Sequence, residues 1–174
     1  MKKLLFLSVL SVFLIGCSND SSVAEFTGNE MEFQMIPGSV NGTETTGTLL
    51  IREKSDGQAQ IEISLNGVLR NANHPVHFHF GSLEDNGNVA TLLNPLEEVN
   101  GVGRSITVMN ELENGQKITY ADLVSFNGSI KIHWEASGPL KDEILGSTNI
   151  GSNSAENEAY LNGSKSITIC NSDY

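Results

Sequence analysis

The chain has 174 residues and carries 21 acidic against 10 basic side chains, a formal charge of −11. That excess of negative charge excludes a nucleic-acid binder built on phosphate contacts and an electrostatic grip on anionic lipid. It is also common among secreted bacterial proteins, and is read here mainly as a source of solubility.

The chain opens MKKLLFLSVLSVFLIGC: Lys2 and Lys3, an apolar run from Leu4 to Ile15, then Gly16 and Cys17. The run is too brief for a bilayer-spanning helix of about 20 residues, and a charged start followed by a short apolar stretch has the form of an export signal. Leu14-Ile15-Gly16-Cys17 resembles the lipobox of bacterial lipoproteins. The resemblance implies that residues 1–16 are a signal peptide, that Cys17 is lipidated and becomes the first residue, and that the chain is tethered to a membrane and does not span it. Ser18 follows the cysteine where aspartate would imply inner-membrane retention, which favours the outer membrane; the leaflet stays open. Loss of residues 1–16 takes away two lysines, moves the formal charge to −13 and leaves 158 residues, a length suited to one domain. With Cys17 taken by lipid, Cys170 has no partner within the chain, so no disulfide is expected.

Residues 17–28 are expected to be a tether, and 29–174 the folded domain. Asn-Gly occurs seven times, at 41, 66, 86, 100, 114, 127 and 162, and Asp56-Gly57 adds a further turn signal. Asn-Gly between alternating segments is the strongest short-range cue for a hairpin. In chain order, strands are expected at about 31–37, 46–54, 60–65, 76–81, 88–93, 103–109, 129–134, 144–147 and 165–170. The segments at 60–65 and 129–134 show the period of two most cleanly, with Ile61, Ile63 and Leu65 alternating with polar residues, as do Ile130, Ile132 and Trp134. Residues 119–125 could form a turn of helix, and 149–166 reads as loop. This pattern predicts an all-β domain, a Greek-key β-sandwich or flattened barrel of seven to nine strands.

Three of the four histidines lie in NANHPVHFHFGS, residues 71–82. Strand alternation puts Val76, Phe78 and Phe80 on one side and His77 and His79 on the other. The apolar side must face the core, so the two imidazoles point away from it together. The same argument puts His133 on the outer side of its own strand. If the two strands are neighbours, three imidazoles converge, a ligand set that suits copper, zinc or nickel. Spacing alone leaves another reading open, in which these are polar positions on an exposed face. His74, held extended by Pro75, is then a structural residue at the strand entrance.

The stretch GTLLIREKSDGQAQIEISLNGVLRNANHPVHFHFG, followed by SFNGSIKIHWEASGPLKDEILGSTNIGSN, resembles the chordin-type (CHRD) domain of secreted and lipid-anchored bacterial proteins over residues 45–155. The shared features are the G-T-x-x-hydrophobic start, the H-P-x-H-x-H strand and a later G-x-I-x-x-H strand. More distantly, HPVHFHFG, SIKIHWEASG and STNIGSN are similar to segments of Cu/Zn superoxide dismutase. This second likeness implies a superoxide-dismutase-like fold, with His77, His79 and His133 at copper-ligand positions and His74 bracing the strand from behind. It does not extend to the rest of that family's site. SLEDNGNVATLLNPLEEVNGVG holds no histidine for a zinc site or a bridge, and Asn153 stands where the guiding arginine would be. Dismutase activity is therefore not expected. No G-x-S-x-G or H-E-x-x-H motif occurs to suggest another enzyme. Two functions follow as expectations: a lipid-anchored, non-enzymatic binding or structural module of the cell envelope with an unspecified ligand, or a copper-binding protein with a degenerate site.

Overall fold

A computed structural model describes residues 24–38, 44–85 and 87–169. The proposed signal peptide, Cys17, most of the tether, the Asn41-Gly42 turn, Asn86 and Cys170 lie outside the described residues. Nine strands form one antiparallel sheet: β1 (Phe26–Gln34), β2 (Ile36–Pro37), β3 (Thr46–Lys54), β4 (Ala59–Asn66), β5 (Asn73–Phe80), β6 (Val89–Val99), β7 (Val102–Met109), β8 (Asn127–His133) and β9 (Ile144–Gly151). Among the described residues, two short helices, α1 (Tyr120–Val124) and α2 (Asn157–Leu161), complete the regular structure, with a 3-10 turn at Ser154–Glu156. Among the described residues, no helix is long and apolar enough to cross a membrane.

The spatial order is β1-β3-β4-β7-β6-β5-β8-β9-β2. β1 and β2 are one stretch of chain that leaves β3 at buried Met35 and joins β9, so the two ends of the sheet meet and the sheet nearly closes on itself. This removes most of the exposed edge that an open sheet would present. The links β4 to β5 and β7 to β8 each pass over two strands, which makes the topology a Greek key. The expected all-β flattened barrel is the observed architecture.

Alternation supplies the core. Leu49 and Ile51 of β3, Ile61, Ile63 and Leu65 of β4, Val76 and Phe78 of β5, and Ile130 and Ile132 of β8 all point inside and pack together. Helix α1 is set by a capping box: the Thr119 side chain accepts from the Asp122 amide, and the Asp122 carboxylate accepts from the Thr119 amide. It delivers Leu123 and Tyr120 to the core rim.

The first strand begins at Phe26, inside the segment expected to be tether, because residues 26–34 have β3 to pair with. β6 runs on to Val99 and β9 to Gly151, both further than their apolar runs suggest. The expected strand at 165–170 does not form over its described part. There Thr168 spends its amide on the Leu83 carbonyl and its own carbonyl on the Lys131 ammonium, contacts with a loop and a side chain in place of a strand ladder. Trp134 falls just past the end of β8 and packs against the core from there.

Candidate metal centre

β5 and β8 are neighbours, with Val76 opposite Ile132, His77 opposite Lys131 and His79 opposite Ser129. The arrangement needed for the three imidazoles to meet is therefore present. Irregularities in the β5–β6 pairing on either side of Val76–Phe78, and in β8–β9 between Ile132 and His133, adjust the local twist where the rings lie. The rings of His77 and His133 have centroids 4.4 Å apart, and those of His77 and His79 5.8 Å. One nitrogen from each of His77, His79 and His133 can be chosen so that all lie within 4.8 Å of one another.

This outer face is covered: His77 is 9% exposed, His133 3% and His79 1%. On one side stand residues 81–85 and 87–88, on the other the turn 134–143. Each supplies a backbone carbonyl to a ring: His79 Nδ1 donates to Gly87 O at 2.9 Å, and His133 Nδ1 donates to Lys141 O at 2.9 Å. A carbonyl can only accept, so both rings carry their proton on Nδ1 and present Nε2 as the lone-pair nitrogen. His133 Nε2 is buried and has no hydrogen-bonding partner among the described residues. Burial is also the main reason that the rings stay neutral. Loss of water, reinforced by His133 and His79, lowers the pKa of His77 to about 3. Loss of water, with Lys131 and His133 nearby and against the Gly87 hydrogen bond, lowers that of His79 to about 4. Desolvation likewise lowers the pKa of His133. Neutral imidazole is the form that binds metal.

His74 stays outside the cluster. Its Nδ1 donates to Trp134 O at 2.8 Å, which ties the start of β5 to the residue that follows His133. Asn153 binds Asn127 Oδ1 through its side-chain amide at 2.7 Å. A cleft of about 180 Å³ opens onto His77 and His133 between Pro75, Leu92 and Ala136, with Glu135 and Lys141 on its lining.

The donor set suits a metal ion in three respects: the rings are neutral, two of them have a defined lone-pair nitrogen, and one buried nitrogen lacks a partner. Two nitrogens bound at about 2.0–2.1 Å to one ion can be at most about 4.2 Å apart, so the widest pair here must close by about half an ångström. Side-chain rotation can supply that movement.

The two carbonyls that orient the rings have no sequence signature, because any residue can supply a backbone carbonyl. Nor does the sequence signal the burial of Lys131, which is 1% exposed on the same outer face and whose ammonium donates to Thr168 O at 2.8 Å. Alternation in SIKIHW put Lys131 on the side of His133, but nothing local announced the segment that covers it. In comparisons with known proteins, no family model matches this chain and no curated protein matches it at a significant level.

Proposed function

We propose that the chain is a copper-binding β-barrel protein of the bacterial cell envelope, held to the outer membrane by lipid on Cys17, with His77, His79 and His133 as the ligands. The observation that carries this reading is the meeting of three neutral imidazoles from two strands, their nitrogens within 4.8 Å of one another. Imidazole donors without carboxylate or thiolate favour copper, zinc or nickel over calcium and magnesium. Copper is preferred because of the likeness of HPVHFHFG and SIKIHWEASG to the copper segments of the dismutases. The same likeness stops short of a zinc site, so the reading is binding without dismutase chemistry. The CHRD resemblance and the lipobox both support a place in the envelope.

The test is a Cu(II) titration of the protein, followed by visible d–d absorption and by melting temperature. Saturation at one ion per chain, with a raised melting temperature that is lost in His77→Ala and His133→Ala, supports the reading. No spectral or thermal change at excess copper refutes it. The anchor is tested separately: Cys17→Ser abolishes incorporation of labelled lipid, and continued labelling refutes the lipobox.

A further inference from the structure

The stretch before Gly87 is braced internally, Ser82 donating from its amide and its Oγ to Asp85 Oδ2, and it is also held from outside. Leu83 is fully buried in a small second cluster with Ile36 and Tyr160, against which Leu161 and Ile167 pack. Its backbone N–H donates to Asn149 Oδ1 at 2.8 Å, and the backbone N–H of Asn149 donates to Asn157 Oδ1 at 2.9 Å at the start of α2. Thr168 then binds the loop twice, its amide to Leu83 O at 2.9 Å and its Oγ1 to Glu84 O at 2.8 Å. Lys165 bridges Glu84 at 2.9 Å and Glu156 at 3.0 Å. Lys131, two residues before His133, holds the Thr168 carbonyl. The segment after α2 is thus fastened to the loop bearing the Gly87 carbonyl and to the strand bearing His133.

We propose that the C-terminal segment Lys165–Thr168 is a positioning element for His79, which acts through Leu83 and Glu84 on Gly87 and so sets the copper affinity of the site. This rests on the copper reading above. The hydrogen bonds and ion pairs of Thr168 and Lys165 go to Leu83, Glu84, Glu156 and Lys131. They fix Leu83 and Glu84, which limits where Gly87 can present its oxygen, and that oxygen decides which nitrogen of His79 carries the proton and where Nε2 points. Groups that orient a ligating histidine are worth about 10- to 100-fold in metal affinity, and an effect relayed through a loop belongs at the low end. His133 is an internal control, because its orienting carbonyl, on Lys141, comes from the other side of the site.

The experiment uses the mature lipidated protein in detergent, ring-labelled with ¹⁵N at histidine. The metal-free long-range ¹H–¹⁵N spectrum is recorded, and Cu(II) affinity is measured by competition with a chelator of known strength. In the unsubstituted protein His79 is expected as the Nδ1–H tautomer. Thr168→Val, which deletes the bond to Glu84, is expected to shift the His79 ring nitrogens toward a tautomer mixture, to leave those of His133 in place, and to weaken Cu(II) binding by about tenfold. Lys165→Ala is expected to act in the same direction. Thr168→Ser keeps the hydroxyl and restores both readouts. Should Thr168→Val fail to fold, Lys165→Ala, at a side chain 34% exposed, decides alone. Unchanged His79 resonances in the folded variants overturn the positioning role even if copper binds, whereas an unsubstituted protein that takes up no Cu(II) overturns the copper reading even if the ring responds.

Discussion

Acidification of the metal-free protein from pH 7.5 to pH 5 should cost it about 4 kcal/mol of stability through two histidines alone. The folded pKa values of His77 and His79, about 3 and about 4, lie below the ordinary value of 6.5. Between those values and 6.5 the unfolded chain takes up protons that the folded chain refuses. Stability is therefore complete above pH 6.5 and falls as the pH drops toward 4, at about 1.4 kcal/mol per pH unit per group. At pH 5, each group has contributed about 2 kcal/mol of loss. Against a typical total of about 5–15 kcal/mol this is a large share, and at a urea slope of about 2 kcal/mol/M it moves the midpoint by about 2 M. The assay is urea unfolding at pH 7.5, 6 and 5 with a chelator present, and His77→Gln should remove about 1 M of the shift. Few carboxylates titrate above pH 5, so the histidines dominate this window. A midpoint that moves by less than about 0.5 M across this range would mean that the rings are not buried neutral, and the site as described would be wrong.

Three further outcomes test the fold and the ring geometry. Phe78, fully buried against Phe126 with centroids 4.9 Å apart, should cost about 3–5 kcal/mol on truncation to alanine, read by urea unfolding. Thr119→Ala removes one half of the α1 capping box and should cost about 1 kcal/mol, a loss that Thr119→Ser largely avoids. A methyl group at Gly87 would lie 1.7 Å from Phe80 O, so Gly87→Ala must shift the backbone that orients His79. It should lower stability by about 1–3 kcal/mol and disturb the His79 ring signals while sparing those of His133.

The strands were legible where one face is wet and the other dry. In β4, Ile61, Ile63 and Leu65 alternate with Gln60, Glu62 and Ser64, and every inward residue is buried as the period demands. Turn chemistry was legible only in part. Asn100-Gly101 links β6 to β7 with φ of 55° and 87°, the two left-handed residues that a tight hairpin of this kind requires. Asn127-Gly128, the same dipeptide, instead begins β8, where a Cβ on Gly128 would lie 2.8 Å from the Phe78 ring. The need for space between packed strands chose glycine there, and a dipeptide cue cannot register that need. The outward direction of His77, His79 and His133 followed from alternation, and the convergence that it allowed is observed. Their burial did not follow, since it depends on the stretch carrying Gly87 and on the turn 134–143, whose polar composition reads as surface. The strand expected at 165–170 did not form although Ile167 and Ile169 alternate correctly, because the segment spends its polar groups on Leu83, Glu84 and Lys131 in place of a strand partner.

The covered outer face of β5, β8 and β9 is built differently from a layer whose task is stability. Ser129, Lys131, His133, Ser147 and Asn149 are all nearly inaccessible there, beside His77 and His79. A buried polar group left without a partner costs about 1–3 kcal/mol, and Ser129 Oγ, Ser147 Oγ and His133 Nε2 find none among the described residues. The adjoining cluster of Ile36, Leu83 and Tyr160 makes clear that the same loop and C-terminal segment can be packed with apolar side chains. A chain required only to fold would extend that cluster across the sheet and gain stability by doing so. Keeping a polar, partly unsatisfied layer under a fitted cover, with two imidazoles fixed by carbonyls from opposite sides, sacrifices stability for geometry at one place. Such a sacrifice is consistent with a site that becomes stable only when its ligand is bound. Replacing His77 and His133 together by apolar residues of similar volume should therefore raise the stability of the metal-free protein at pH 5 while abolishing copper uptake.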